Sequence, residues 1–315
     1  MRSVRRLLIS ALGLGLLAAP AVAQTPAPPV PVTGPIIMDG AWDLPAQKSR
    51  GGLPAQWLGL QVRPAKALCF TLGCARYALK VVTNPVRDGT KAGRFVVQDG
   101  DNPFGDAERA EVQGKVTGPA GSIRWYTWST YLPPSFPFAQ ANDNRWLAFT
   151  QWAVNKGSAP ISMTVHEGQV VLQVNDQVSA TRGLAMQRPW GTPIAPHRGR
   201  WLDFAMFVKW SPRGNGQIQL WVNGVQQQMN WPFSGEDPAR FGGVGSYTYN
   251  GKTLVPGGGS SYVRQGIVRA KAFQGRTTIV HDALKVHAAA AVPVPPVTPL
   301  PAPTLPAPTP PAPAA

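Results

Sequence analysis

Residues 201–224 read WLDFAMFVKWSPRGNGQIQLWVNG, and this stretch decides the fold. Leu202, Phe204, Met206, Val208 and Trp210 occupy every second position of its first half, and Ile218, Leu220 and Val222 do so in its second. Successive side chains of an extended chain point to opposite sides, so each half places its apolar residues on one face of a strand. Between the halves the segment 211–216 (SPRGNG) turns the chain, because proline removes a backbone donor and glycine admits positive φ. Asn223 and Gly224 give a second hairpin signal, and residues 225–229 are expected to form a third strand. The pattern predicts an antiparallel meander with one apolar face.

Outward from this meander, short alternating runs bounded by Gly, Pro, Asn and Asp recur, and almost nothing has the period of a long helix. Strands are expected over 77–82, 94–97, 109–116, 123–132 and 146–154. Residues 161–165 and 169–174 flank Glu167 and Gly168 as another hairpin, and 262–269 and 277–286 complete the set. Strands of this length and spacing predict an all-β fold, a concanavalin-like two-sheet β-jelly roll. The glycine-rich run 232–261 is long enough to form a lid or wall over one sheet.

The two ends have a different character. Residues 24–35 (QTPAPPVPVTGP) and 292–315 (VPVPPVTPLPAPTLPAPTPPAPAA) are rich in proline, which favours extended polyproline II and cannot bury a core. They are read as disordered ends, the second a tail suited to cell-envelope contact, on either side of a domain at 36–291. Ahead of them, Arg2, Arg5 and Arg6, an apolar run from Leu7 to Ala19, and the small residues Ala21 and Ala23 have the order of a secretory signal. The apolar run is too short to span a bilayer comfortably, which argues against a retained anchor. Residues 1–23 are therefore expected to be cleaved, leaving a secreted or periplasmic protein with no stable membrane insertion.

Cleavage would remove three arginines and no acids, taking the formal charge from +15 to +12. A basic secreted protein attracts anionic partners through long-range steering, and acidic polysaccharide is the expected one. The arginines are spread along the chain rather than gathered into an arm, which argues against nucleic acid. The only cysteines, Cys69 and Cys74, flank a four-residue loop. In an oxidising compartment that pair suits a structural disulfide better than a redox pair, whose usual spacing is C-x-x-C.

Several strands carry polar or aromatic side chains opposite their apolar face. Arg109, Glu111 and Gln113 alternate with Ala110 and Val112; Tyr126 and Trp128 alternate with Trp125 and Thr127; Gln151 lies among Phe149, Trp152 and Ala153; Tyr262 and Arg264 share a face with Val268. Each face taken singly fits a solvated surface. Paving one concave sheet, they would make a groove in which rings stack on sugars and guanidinium groups pair with uronate carboxylates. Other constellations carry less. His166, His197, His281 and His287 lack metal-ligand spacing, and His166 is placed at an exposed strand end. No cofactor is expected. The run 99–108 (DGDNPFGDAE) offers the oxygen ligands that calcium takes, without EF-hand spacing.

In order along the chain, YALKVV, DNPFGDAERAEV, IRWYTWSTYLP, FTQW, PISMTVHEGQVVL, the 201–224 run, YVRQGIVR and TTIVHDALKV together resemble the heparin lyase I type of polysaccharide lyase. The likeness extends more distantly to the jelly-roll alginate and glucuronan lyases. It implies a groove across a concave sheet and β-elimination at a uronate, the work of a carbon–oxygen lyase. It also implies that Arg109 and Gln151 hold the carboxylate and that Tyr262 and Arg264 belong to the catalytic set; the polar and aromatic faces described above add Glu111, Tyr126 and Trp128 as expected substrate contacts. Two positions depart from the family: Ala153 stands where its histidine would be, and Val268 where its second tyrosine would be. Neither can move a proton. A non-catalytic carbohydrate-binding protein on the same fold is therefore the alternative expectation, and a structural envelope protein the third.

Overall fold

The computed structural model describes residues 32–48, 52–54, 56–62, 77–101, 107–137, 146–155, 157–175, 186–229, 246–257, 259–271, 273 and 275–290. The signal segment, most of the proline-rich leader, Cys69, Cys74, Asn102, Asp106, Lys156 and the proline-rich tail lie outside the described residues.

Two antiparallel sheets face each other. The larger contains β1 (Ile36–Asp39), β5 (Leu79–Val82), β6 (Ala92–Val97), β8 (Ile123–Leu132), β13 (Arg200–Lys209), β14 (Gly216–Val222), β15 (Val225–Gln226), β16 (Tyr249–Gly251) and β18 (Thr277–Ala288). The other contains β4 (Trp57–Val62), β7 (Glu108–Gly118), β9 (Trp146–Ala153), β10 (Ile161–His166), β11 (Gln169–Asn175), β12 (Met186–Pro193) and β17 (Ser261–Arg269). A short hairpin, β2 (Ala46–Gln47) with β3 (Leu53–Pro54), stands apart. The larger sheet runs β15-β14-β13-β8-β18-β6-β5, with β1 on β18 and β16 on β14, and its partner runs β12-β11-β10-β9-β17-β7-β4. From β4 onward the chain changes sheet between β4 and β5, β6 and β7, β7 and β8, β8 and β9, β12 and β13, β16 and β17, and β17 and β18. This is the jelly-roll sandwich that the strand pattern predicts.

Residues 201–224 form the expected hairpin, in which Phe204 pairs with Val222, Met206 with Leu220 and Val208 with Ile218. Leu202, Phe204, Met206, Val208, Trp210, Ile218 and Leu220 all enter the core between the sheets. Aromatic rings join the layers there. Trp128 of β8 stacks on Phe204 at 4.9 Å and meets Trp152 of β9 edge-on at 5.2 Å. Tyr126 meets Trp152 at 5.4 Å, and its hydroxyl accepts a bond from Trp210 Nε1 at 3.0 Å. Burial pushes the Tyr126 phenol up to about 12. Tyr126 and Trp128, expected as substrate contacts, are thus buried between the sheets. Their strand belongs to the larger sheet, and its alternation turns both side chains inward.

Two further expectations are modified. The meander has a second apolar face, because Trp125, Ala205, Phe207 and Trp221 form a buried cluster on the opposite side, with Val32 and Ala289 packed against it. Within the run 232–261, the described residues 246–257 contribute β16, which pairs with Gly216, Gln217 and Ile218, so this part extends the edge of the larger sheet.

Charged groups inside the fold are closely partnered. Arg269 is fully buried; its Nε donates to Glu108 Oε2 at 2.8 Å, Nη1 to Thr277 Oγ1 at 2.8 Å, and Nη2 to the Gly275 carbonyl at 2.9 Å and to Asp99 Oδ1 at 3.1 Å. Asp101 accepts bonds from the Gln98 amide at 2.8 Å and from the Tyr77 hydroxyl. The described carboxylates of the 99–108 run are therefore engaged by protein donors. Among the described residues, no three His, Cys, Asp or Glu side chains are grouped to hold a metal ion.

His281 of β18 is buried between the sheets. Its Nε2 lies 3.3 Å from the Gly266 carbonyl of β17, which can only accept, so Nε2 carries the proton and Nδ1 accepts from Thr130 Oγ1 at 3.1 Å. Burial lowers its pKa to about 4, so the ring is neutral at pH 7.

Two predictions follow from these buried groups. Arg269→Met strands the buried Glu108 carboxylate and should cost about 3–5 kcal/mol in denaturant unfolding, part of which Glu108→Gln should restore. The unfolded His281 ring protonates near pH 6.5 and the folded one near 4. The stability this residue provides is full above pH 6.5 and declines as the pH falls toward 4. Unfolding midpoints measured across that window should fall more steeply for the native chain than for His281→Gln.

Candidate functional site

The outer face of the seven-stranded sheet carries a groove of about 650 Å³. Strand alternation explains its lining. In β10, Ile161, Met163 and Val165 enter the core while Ser162, Thr164 and His166 face the groove. In β11, Val170, Leu172 and Val174 point inward while Gln173 and Asn175 face out. From β7 comes Arg109, with Ala110 and Val112 turned to the core. From β17 come Arg264 and Val268, with Val263 and Ile267 behind.

Strand β9 departs from simple alternation. Leu147 and Phe149 face the core, and so do Trp152 and Val154, which a strict two-residue period forbids. Met163 pairs with Thr150 but its neighbour Thr164 pairs with Ala148, so β9 carries one extra residue, a β-bulge. The bulge resets the alternation and brings Gln151 and Ala153 into the groove. On the other side of β9, β17 is irregular between Gln265 and Val268, around Gly266. Gly266 has φ +142°, and a Cβ there would lie 2.0 Å from the Ala110 carbonyl oxygen, so glycine is required for β17 to approach β7.

The resulting register aligns a polar row across the sheet. Gln113 pairs with Arg264, Arg264 with Gln151, Gln151 with Ser162, and Ser162 with Gln173. Arg109 lies four residues along β7 from Gln113 on the same face, opposite Val268, which in turn pairs with Ala148. The Arg109 Nη1 is 3.4 Å from Gln61 Oε1 and 3.8 Å from Glu111 Oε2. Glu111, 2 % exposed, thus sits beneath Arg109 rather than on the groove surface. Arg264 Nη2 donates to the Tyr262 hydroxyl at 2.6 Å, and its guanidinium carbon lies 5.1 Å from the Tyr262 ring centroid. Tyr262 itself is buried, paired with Ala153, with its hydroxyl 3.5 Å from the Val154 carbonyl.

Of the residues expected from sequence, Arg109, Gln151 and Arg264 meet in the groove, with Tyr262 directly behind Arg264. Ala153 and Val268 line the groove as well. His197, on the 3₁₀ turn Ala195–His197, is not among the lining residues and bonds Thr192 at 3.4 Å. The groove also contains residues that sequence reasoning did not place there: Thr164, His166, Gln173, Asn175 and Arg188. His166 had the signal of a hairpin end, but its position on the outward parity of β10 makes it part of the wall. Burial, and secondarily the Arg188 charge, lowers its pKa.

The polysaccharide lyase family model matches residues 51–285, three-quarters of the chain and nearly the whole sandwich. The chain belongs to the polysaccharide lyase family. A comparison with curated proteins finds no match. Among solved structures, this polysaccharide lyase is similar to an endo-β-1,4-glucuronan lyase from Trichoderma reesei, with 15 % identity and a TM-score of 0.51 over 67 % of this chain and 87 % of that one. It is also similar to the catalytic domain of a family 131 β-glucanase from Podospora anserina, with 10 % identity and a TM-score of 0.51 over 82 % of this chain and 98 % of that one. A family 7 alginate lyase follows at 11 % identity and a TM-score of 0.43, over 74 % of this chain and 95 % of that one. At these identities the likeness is one of fold.

Proposed function

We propose that the groove binds a uronate-containing polysaccharide and that the protein acts on it by β-elimination, as a secreted lyase nearest in type to heparin lyase I. The observation that carries this reading is the row Gln113–Arg264–Gln151–Ser162–Gln173 with Arg109 beside it. It combines guanidinium forks, which match a carboxylate, with amides and a hydroxyl suited to sugar hydroxyls. The net charge, +15 for the whole chain and +12 without residues 1–23, favours the same polyanionic partner.

In this scheme Arg109 and Gln151 hold the uronate carboxylate, and the neutralised carboxylate makes the C5 proton acidic. The Tyr262 oxygen, as the phenolate, takes that proton. The electron pair of the C5–H bond forms the C4–C5 double bond as the C4–O bond breaks, and the leaving oxygen takes the proton from the Tyr262 hydroxyl, which restores the phenolate. Arg264 orients the phenol: guanidinium nitrogens only donate, so the Tyr262 oxygen accepts its bond. A second reading, recognition without turnover, is favoured by Ala153 and Val268, which put alkyl groups where the family places titratable ones.

Incubation of the purified protein with glucuronan, alginate and heparin, followed by ultraviolet absorbance of the C4–C5 double bond, separates the readings. The lyase reading expects absorbance to rise on one polymer and Tyr262→Phe to lower the rate at least a hundredfold while binding persists. Flat traces with measurable binding would establish recognition alone. For affinity, the double variant Arg109→Ala/Glu111→Gln removes the guanidinium without stranding the buried carboxylate. It should bind the preferred polymer about tenfold or more weakly, and unchanged affinity would remove Arg109 from the site.

A further inference from the structure

A second aromatic surface lies on the side of the sandwich away from the groove. On the outer face of the larger sheet, Trp125 of β8, Ala205 and Phe207 of β13 and Trp221 of β14 form a strip across three adjacent strands. The Trp125 ring centroid lies 5.6 Å from that of Phe207 and 5.0 Å from that of Trp221. Trp125 and Phe207 are fully buried and Trp221 is 6 % exposed. The outer face of an antiparallel sheet is commonly wet, and rings of this size need a wide cover to be dry. The described apolar side chains packed against them are Ile123, from the sheet itself, and Val32 and Ala289, from the two exits of the chain. One valine and one alanine are too small to shield three aromatic rings.

The path of the chain at Val32 points to what completes the cover. Moving back from β1, the Pro35 carbonyl accepts a bond from the Ala288 amide at 3.0 Å, and the Gly34 carbonyl lies 3.1 Å from His287 Nδ1. Gly34 has φ +97°, and a Cβ there would lie 1.7 Å from the Ala288 carbonyl oxygen, so only glycine lets the chain cross at this point. The chain thereby passes from β1 over the end of β18, and Val32 lands against Trp125 of β8. Phe207 and Trp221 come next in the same direction, on β13 and β14. The other exit differs: the Ala289 amide donates to the Ile123 carbonyl at the end of β8, at 3.2 Å, so it follows the strands rather than crossing them. From β8 to β14 is two strand spacings, about 10 Å, which about three residues of polyproline II span. We propose that residues 28–31 (PPVP), directly ahead of Val32, cross the Trp125–Phe207–Trp221 strip as a strap, docked as proline-rich segments dock in aromatic grooves. The leader is then a wall of the sandwich on the side opposite the groove, and the reading of the groove plays no part in it.

The test labels the full chain with fluorotryptophan and assigns the Trp221 signal with Trp221→Phe. The difference in fluorine NMR shift between light and heavy water reads how open that ring is to solvent. The native chain is compared with a variant in which Pro28, Pro29, Val30 and Pro31 are all changed to Ser, with the single variants Pro29→Ser and Val30→Ser, and with a chain lacking 292–315. Expected are a small solvent shift at Trp221 in the native chain and a clearly larger one in the fourfold variant, whose unfolding midpoint falls by about 4 °C or more. The single variants should change in the same direction by less, and they decide the matter if the fourfold variant does not fold. Removal of 292–315 should change neither readout. A Trp221 ring open to solvent in the native chain would overturn the strap without recourse to any variant. An unchanged Trp221 signal in the folded leader variants would overturn it too, and a change confined to the chain lacking 292–315 would give the face to the tail instead.

Discussion

The site depends on how closely β17 can lie between β7 and β9, and that closeness is set at Gly266. Only a hydrogen fits where its backbone meets Ala110, and its positive φ carries the local irregularity of the strand. Its carbonyl is held from the opposite sheet by the His281 ring, which is itself fixed by Thr130. A bond of this kind between two sheets ties the placement of the groove strands to the packing of the core. In the neutral ring, Nε2–H donates to that carbonyl and Nδ1 accepts from the Thr130 hydroxyl. Burial maintains that state. Arg264 and Val268, two residues to either side of Gly266, take their positions from this anchored segment.

The same seam explains why the groove is polar while the face behind it is dry. Bulges in β9 and β17 change which residues point outward without opening the sheet. Trp152, immediately after Gln151, remains in the core against Tyr126 and Trp128. A large aromatic is thereby locked on one side of the strand, and its neighbour is presented to the groove from a rigid base. Side chains on strands braced by rings hold their geometry better than side chains on loops, and a carboxylate clamp requires that precision.

How much of this was legible in the sequence varied with the physics of each element. The 201–224 hairpin was readable because a half-buried strand must alternate, and its register follows from its turn. Arg109 and Arg264 were readable for the same reason. Gln151 was harder: strict alternation from Leu147 and Phe149 would bury it, and only pairing with β10 exposes the extra residue. The inward parity of Tyr126 and Trp128 was visible, but parity does not say which sheet a strand joins, and their strand joins the one without the groove. Strand β12 was missed because Pro189, Gly191 and Pro193 read as a loop. Proline lacks the amide for a central ladder but is accepted at a sheet edge, which is where β12 lies. With it went Arg188 and the significance of His166.

The two family positions that became Ala153 and Val268 also alter what the groove can hold. Val268 and Ala148 make a low apolar patch beside Arg109, and Ala153 lies on the far side of the Arg264–Gln151 row. Sugar rings present apolar C–H faces as well as hydroxyl edges, and small alkyl side chains leave room for a ring face to settle. Titratable groups there would pull a sugar toward proton transfer; alkyl groups favour contact over the whole ring. Tyr262, paired with Ala153 and buried, lies behind the groove and accepts its bond from Arg264. The small side chain at residue 153 leaves the groove open in front of that pair, where a larger side chain would fill it.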